Sequence, residues 1–348
     1  MQSTKQIQSY QQHSSAPLVL RTIRSQPHMY SLMCRSLLFY SRYIAAFAQR
    51  RAFKKNSFQE FQLTSDEKRW CQELKTQGFT LIEDLFPQDL VDCIFTKADK
   101  LFRGLEIDKG DAYTVQNKIR QSLDGLSYEE LANTEKFIAI KDPLINIPEC
   151  VEVAFHPSLW RIICSFLGYI PPWFKPMVVR DFPSPHPRES SNFHKDNDEA
   201  DSVQIFMYLV DIDESCGPLV YIPRTNRYDV QSCRPRLNRD LGLNANDGRI
   251  SDAEIERYYP KAQWAVIKPK RGSVAIIHGN GLHKGPAWDL IKDSAGFEKH
   301  PRTAIRLDID GYKINRHPSE VQSKKIRKSE YEQLSKFQKG FAKDFEIV

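Results

Sequence analysis

The sequence predicts an α+β protein with a mainly β core wrapped by N-terminal helices. Three observations predict it. Capped helical signals crowd ahead of residue 170, and short strand-like runs bounded by Gly and Pro follow Pro171. The 348 residues are 41% apolar and 11% aromatic, which supplies a substantial core and argues against wholesale disorder. Neither a Rossmann G-x-G-x-x-G nor a P-loop G-x-x-x-x-G-K-[ST] occurs, which counts against a dinucleotide enzyme or an NTPase.

The elements follow in order. Thr64 and Glu67 form a T-x-x-E capping box opening a helix that runs to Gln77, where Gly78 stops it. Residues 79–85 read as a short strand. Pro87 restarts a helix, with helical apolar spacing from Leu90 to Phe102. Residues 105–150 are mixed and polar, with no assignable period. Residues 156–167 read as a helix ended by Gly168. Strands are expected at 177–182, at 203–212 (the strongest), at 219–222 after the turn Cys216-Gly217-Pro218, at 273–277 and at 303–309. A polar insertion at 224–263 carries an S-x-x-E helix near 251–259. An insertion of that length in a β domain is more often a lid or binding loop than filler. Residues 319–348 read as a charged C-terminal helix.

The net charge of +6 is unevenly spread. Residues 1–59 hold nine Lys and Arg and no acid; Glu60 is the first. The rest of the chain, with 41 basic and 44 acidic residues, is at −3. The body therefore has no nucleic-acid footprint, and the basic character belongs to an N-terminal extension, 1–59. Its apolar part, 32–47, is broken by Arg35 and Arg42 on one helical face. Three readings stay open for it: an amphipathic helix in peripheral contact with an anionic membrane, an organellar transit peptide, or a helix docked on the body. No stretch approaches the roughly 20 uninterrupted apolar residues of a membrane span. Seven scattered cysteines without a C-x-x-C point to the cytoplasm or another reducing compartment.

One segment carries chemistry. In Asn192-Phe193-His194-Lys195-Asp196, residues 194 and 196 project to the same side of an extended chain, so imidazole and carboxylate converge on one ion. With a second, distant histidine they make the facial triad of non-haem Fe(II) oxygenases. Alone, H-x-D is common, and a surface histidine beside an aspartate is its ordinary meaning. The downstream context changes that. Gly272-Ser273-Val274-Ala275-Ile276-Ile277, His283-Lys284-Gly285-Pro286 and Pro301-Arg302-Thr303-Ala304-Ile305 supply a strand, a histidine and an arginine whose planar fork suits a carboxylate.

Residues 77–312 resemble the phytanoyl-CoA dioxygenase family of Fe(II)/2-oxoglutarate oxygenases. Besides the closing segments, Gly78-Phe79-Thr80-Leu81-Ile82 with Pro87-Gln88-Asp89-Leu90, Phe193-His194-Lys195-Asp196 and Gly217-Pro218-Leu219-Val220-Tyr221-Ile222-Pro223 carry the likeness. The resemblance implies a double-stranded β-helix (jelly roll) spanning 60–318, with insertions at 224–263 and 289–300. It implies Fe(II) on His194, Asp196 and His283, with 2-oxoglutarate and O2 as cosubstrates. Arg302 would hold the distal 2-oxoglutarate carboxylate. Phe206 stands where the family often has an aromatic lining the cosubstrate pocket, and Gln204 and Tyr208 share its strand face. Arg306, four residues beyond Arg302 on the same face, is the alternative carboxylate ligand or meets an acidic substrate. His278 competes with His283; the resemblance favours His283, which sits where the family's H-x-x-G-x segment starts, leaving His278 a capping or surface role. The activity implied is hydroxylation of a C–H bond in a small-molecule, lipid- or sugar-type substrate, with release of succinate and CO2. The intact Asp196 favours hydroxylation over halogenation. Two other classes stand beside it: an inactive β-helix binding module, and a membrane-docked protein whose function lies in the basic N-terminus.

Overall fold

A computed structural model describes residues 62–104, 127–128, 130, 137–171, 173–182, 191–196, 202–226, 249–285, 301–310 and 324–348. The chain divides into two units, Met1–Ala52 and Phe53–Val348, and every described residue belongs to the second. The expectations for 1–59 and for the 289–300 insertion lie outside the described residues, as do 227–248 within the 224–263 insertion.

The first helix, α1 (Ser65–Gln77), starts where its chemistry requires. The Thr64 hydroxyl accepts from the Glu67 amide, and the Glu67 carboxylate accepts from the Thr64 amide. Gly78 ends it at φ +91°, and a Cβ there would lie 2.3 Å from the Tyr221 hydroxyl, so only glycine fits. Glu67 is buried and takes a forked ion pair from Arg161. Arg161 lies in the helix Pro157–Leu167. After β1 (Phe79–Ile82) comes α2 (Gln88–Arg103), which buries Val91, Ile94, Ala98 and Phe102. Next come β2 (Phe137–Ala139) and three short helices: α3 (Pro143–Asn146), α4 (Cys150–Ala154) and α5 (Pro157–Leu167). The run Cys150–Leu167 has the length and apolarity of a membrane span. Here it is broken at His156–Pro157 and lies largely buried as two core helices.

Two antiparallel sheets follow. The large one has the order β1-β7-β4-β9-β3-β2, with β3 (Trp173–Asp181), β4 (Ser202–Tyr208), β7 (Val274–His278) and β9 (Arg302–Asp310) at its centre. The small one runs β6-β5-β8, from β5 (Leu219–Tyr221), β6 (Ala265–Ile267) and β8 (His283–Lys284). Phe193 and His194 extend it by single bridges to Ile250 and His283. The facing sheets share one core, in which Met177, Val179, Phe206, Tyr208, Ala275 and Ala304 meet Leu219, Tyr221 and Ile267. This is the jelly-roll arrangement, with flanking helices and without closure into a barrel.

Both faces of the large sheet are covered. Val203, Ile205 and Met207 of β4, with Ile305, Leu307 and Ile309 of β9, pack on Leu74, Ile94, Phe102 and Trp160 from the helices. The alternate residues face the small sheet. That is why the run from Val203 to Leu209 is almost continuously apolar instead of alternating. The strand ends at Tyr208, short of the expected Ile212, because the chain turns back: the Tyr208 carbonyl accepts from Gly272 and the Ile212 amide donates to Pro269.

Two expectations need correction. Residues 324–348 are not one charged helix. They form a parallel pair, β10 (Lys324–Ile326) with β11 (Phe345–Ile347), around two short helices, α7 (Lys328–Gln333) and α8 (Lys336–Phe341). Ser335 is the reason for the break. It makes a capping box with Gln338 and starts a new helix, which stacks Phe341 on Trp160 at 3.9 Å. His278 is not a surface residue either. It is buried at the end of β7, edge-on to Phe166.

Candidate metal centre

The opening between the sheets is where His194 and Asp196 meet His283. His194 and His283 are directly opposed in a two-hydrogen-bond bridge, each amide donating to the other's carbonyl at 2.8 and 3.0 Å. Opposed residues present their side chains on the same face, and the ring centroids lie 4.4 Å apart. The Asp196 amide donates to the Gly279 carbonyl, which sets the third side chain. His194 Nε2 is 3.6 Å from Asp196 Oδ1, and His283 Nε2 is 3.4 Å from Asp196 Oδ2. Ligand atoms of the three residues all fall within 4.8 Å of one another.

The proton positions suit a metal. His194 Nδ1 is 2.9 Å from the Asn192 carbonyl and His283 Nδ1 is 3.0 Å from the Gly281 carbonyl. A carbonyl only accepts, so each Nδ1 carries the proton and each Nε2 offers its lone pair. Burial and the neighbouring His283 bring the His194 pKa down to about 4, so it is neutral at physiological pH. Asp196 Oδ2 is buried and accepts no hydrogen bond from any described residue. An ionised, unsatisfied buried oxygen is costly without a cation. Gly279 keeps the space open, since a Cβ there would stand 2.7 Å from that same oxygen. Two imidazoles and one carboxylate on one side of an ion are the donor set of a facial-triad Fe(II) site, and the residues present fit it.

A family profile described as phytanoyl-CoA dioxygenase (PhyH) matches residues 74–288. The chain belongs to this family. No curated protein matches its sequence. Among solved structures it is similar to the non-heme alpha ketoglutarate dependent epimerase SnoN from nogalamycin biosynthesis. The two share 13% identity and a TM-score of 0.44, over 71% of this chain and 83% of that one. EvdO2 from Micromonospora carbonacea var. aurantiaca complexed with 2-oxoglutarate is 15% identical, with a TM-score of 0.44 over 74% and 96%. EctD from S. alaskensis with bound Fe is 15% identical, with a TM-score of 0.45 over 72% and 79%. The assignment rests on the profile match, not on these likenesses.

The remaining predicted residues of this PhyH-family site share the inner face of the large sheet. Register places Phe206 opposite both Arg306 and Ala275, and Gln204 opposite both Asp308 and Ile277. The Arg302 guanidinium is buried. Its Nε and Nη2 donate to Asp181 Oδ2 at 3.2 and 2.8 Å, while Nη1 has only a long 3.4 Å contact with the Gly217 carbonyl. A Cβ on Gly285 would sit 3.4 Å from Nη1. Gly285 is two residues beyond His283, about 7 Å along an extended chain, so the guanidinium lies one inner-face step from the triad. The Tyr208 hydroxyl, in the field of Arg302, is buried with no hydrogen-bond partner among the described residues. Burial pushes its pKa up to about 12, so it stays a donor.

Sequence reasoning missed four residues. Asp181 is opposite Arg302 in the β3–β9 register, 121 residues away, and carries no motif. Tyr221 stacks near His283 and donates to the His278 carbonyl, and it was quoted only as part of a strand. Lys284 is fully buried, and its ammonium donates to both Asp252 oxygens at 2.8 Å. That pair ties α6 (Asp252–Glu256), at the described end of the 224–263 insertion, to the strand bearing His283. Asp308 holds Arg306, and an R-x-D spacing on a strand is the signal that would have found it.

Proposed function

We propose that this PhyH-family protein is an Fe(II)- and 2-oxoglutarate-dependent dioxygenase that hydroxylates a C–H bond of a small-molecule substrate, releasing succinate and CO2. One observation carries the reading: two Nε2 atoms and an unsatisfied carboxylate oxygen converge while every other site on the two imidazoles is committed to backbone. Bound iron supplies the positions at which 2-oxoglutarate and O2 are activated. The chain supplies the rest. His194, Asp196 and His283 hold the ion and choose it by donor type. Arg302 Nη1 and the Tyr208 hydroxyl are the donors left over at the far end of the inner face, and they suit the distal carboxylate of a diacid. Asp181 fixes the orientation of that guanidinium. Phe206, Ala275 and Ile277 make a dry wall between the two ends, which strengthens each polar contact.

Anaerobic titration of the Fe(II)-loaded protein with 2-oxoglutarate, followed by its visible absorption, tests the cosubstrate. Succinate release on admitting air tests turnover. Both are expected in the wild type, and both are lost in His194→Ala. A wild type that neither binds 2-oxoglutarate nor forms succinate, with His194→Ala unchanged from it, overturns the proposal and leaves an inert binding module.

A further inference from the structure

Arg306 is a second cation on the inner face, and the cosubstrate arrangement above leaves it unused. The β3–β9 and β4–β9 registers place it between Met177 and Phe206, with its guanidinium carbon 5.7 Å from the Phe206 ring centroid. Only Nε is engaged, donating to Asp308 Oδ1 at 2.6 Å. Neither Nη group donates to any described residue, and about a quarter of the side chain is exposed. Asp308 therefore aims the guanidinium and leaves its Nη1/Nη2 edge, the edge that grips a carboxylate or phosphate with two parallel bonds, open. Asp308 is opposite Gln204, two residues from Ser202, and a Cβ on Gly279 would meet both Ser202 Oγ and Asp196 Oδ2, so Arg306 is held at the metal end of the face. Lys175, opposite Asp308 in the register, adds a second cation beside it. Met177 and Phe206 on either side are apolar.

On the reading that this is a 2-oxoglutarate oxygenase, we infer that Arg306 anchors the substrate to be oxidised, through an anionic group joined to an apolar carbon body. The substrate class is an organic acid or phosphate with a hydrocarbon part. The hydrocarbon lies on Met177 and Phe206, and the acid lies on the open Nη edge. An anionic group on Arg306 orients the adjoining carbons toward the metal and fixes which C–H bond is presented.

The test begins with 2-oxoglutarate binding to the Fe(II) protein under anaerobic conditions. Failure there sinks the oxygenase reading itself. With 2-oxoglutarate bound, hexanoate and the matched neutral hexanamide are then titrated calorimetrically. Hexanoate is expected to bind about tenfold more tightly in the wild type. Arg306→Gln should erase that preference and Arg306→Lys should keep part of it. Both variants should hold 2-oxoglutarate within about twofold of wild type, which also shows that they fold. Equal binding of acid and amide by the wild type overturns the inference while leaving the enzyme reading intact. So does an Arg306→Gln loss of 2-oxoglutarate affinity as large as that of Arg302→Gln, which would make Arg306 a cosubstrate ligand.

Discussion

On β4, Val203, Ile205 and Met207 turn to the helices while Gln204, Phe206 and Tyr208 turn to the small sheet; β9 divides in the same way, Ile305, Leu307 and Ile309 against Ala304, Arg306 and Asp308. The helix-facing side is mainly apolar and packed, with the buried Arg180 held there by Thr303 and Asp99. The inner side carries the Arg302–Asp181 and Arg306–Asp308 pairs and, with Tyr208 and the neighbouring Asp196, buried oxygens that no described residue satisfies. Burying a polar group without a partner costs free energy, so the inner face is a local expense that the outer face offsets. The difference teaches where to look for each property. Substitutions on one face should move stability and leave ligands bound, and those on the other should do the reverse.

The sharpest test is Asp196→Ala. Metal analysis after dialysis should find no retained iron, while the thermal midpoint matches or exceeds that of the metal-free wild type because an uncompensated buried carboxylate has gone. Iron retained at wild-type stoichiometry would erase the distinction between the faces. Arg302→Gln probes the one inner residue expected to serve both roles. It should weaken 2-oxoglutarate binding and also take from the buried Asp181 its guanidinium partner, lowering stability in urea unfolding. The double variant Arg302→Gln/Asp181→Asn should recover stability without recovering binding. On the outer face, Leu307→Ala should cost about 2–5 kcal/mol through lost burial and a residual cavity, with Mn(II) affinity unchanged below the unfolding transition.

The smallest effect expected is also the most remote from the site. Burial would raise Glu67, but the Arg161 hydrogen bonds and the Thr64 amide win and hold its carboxyl below the ordinary 4.5. A lowered folded pKa means that its stabilisation is present above about pH 4.5 and is lost as the pH falls through the folded value. Glu67→Gln should therefore cost about 1–3 kcal/mol at pH 7, and the gap to wild type should narrow below pH 4.5. A gap independent of pH would mean that packing, not charge, holds α1 to α5.

Much of the fold was legible. The Thr64 and Ser251 capping boxes and the Gly78 and Gly168 stops are local chemistry, and the structure puts helix ends at each. The candidate site was legible where a motif was short in sequence, as in His194-Lys195-Asp196. It was not legible across strands. Period two says that Gln204, Phe206 and Tyr208 share a face, but in a strand buried on both sides it does not say which face meets the site. The tail was misread because its charges fit a solvated helix, whereas Leu334, Phe341 and Phe345 are half of a core whose other half, Trp160 and Phe174, lies more than 150 residues upstream.

By itself, then, the sequence determined the helix caps and stops, the placing of most strands after Pro171, the H-x-D pair with its downstream histidine and arginine, and a basic charge confined to the first 59 residues. These depend on neighbours a few residues apart, where hydrogen-bond reach and side-chain period are set by the local chain. Only the tertiary structure decided that His283, not the buried His278, opposes His194, that Asp181 closes around Arg302, and that Arg306 keeps an open edge. Each of those outcomes is a matter of strand register between segments that are distant in sequence, and a slip of one residue would turn every one of these side chains to the other face.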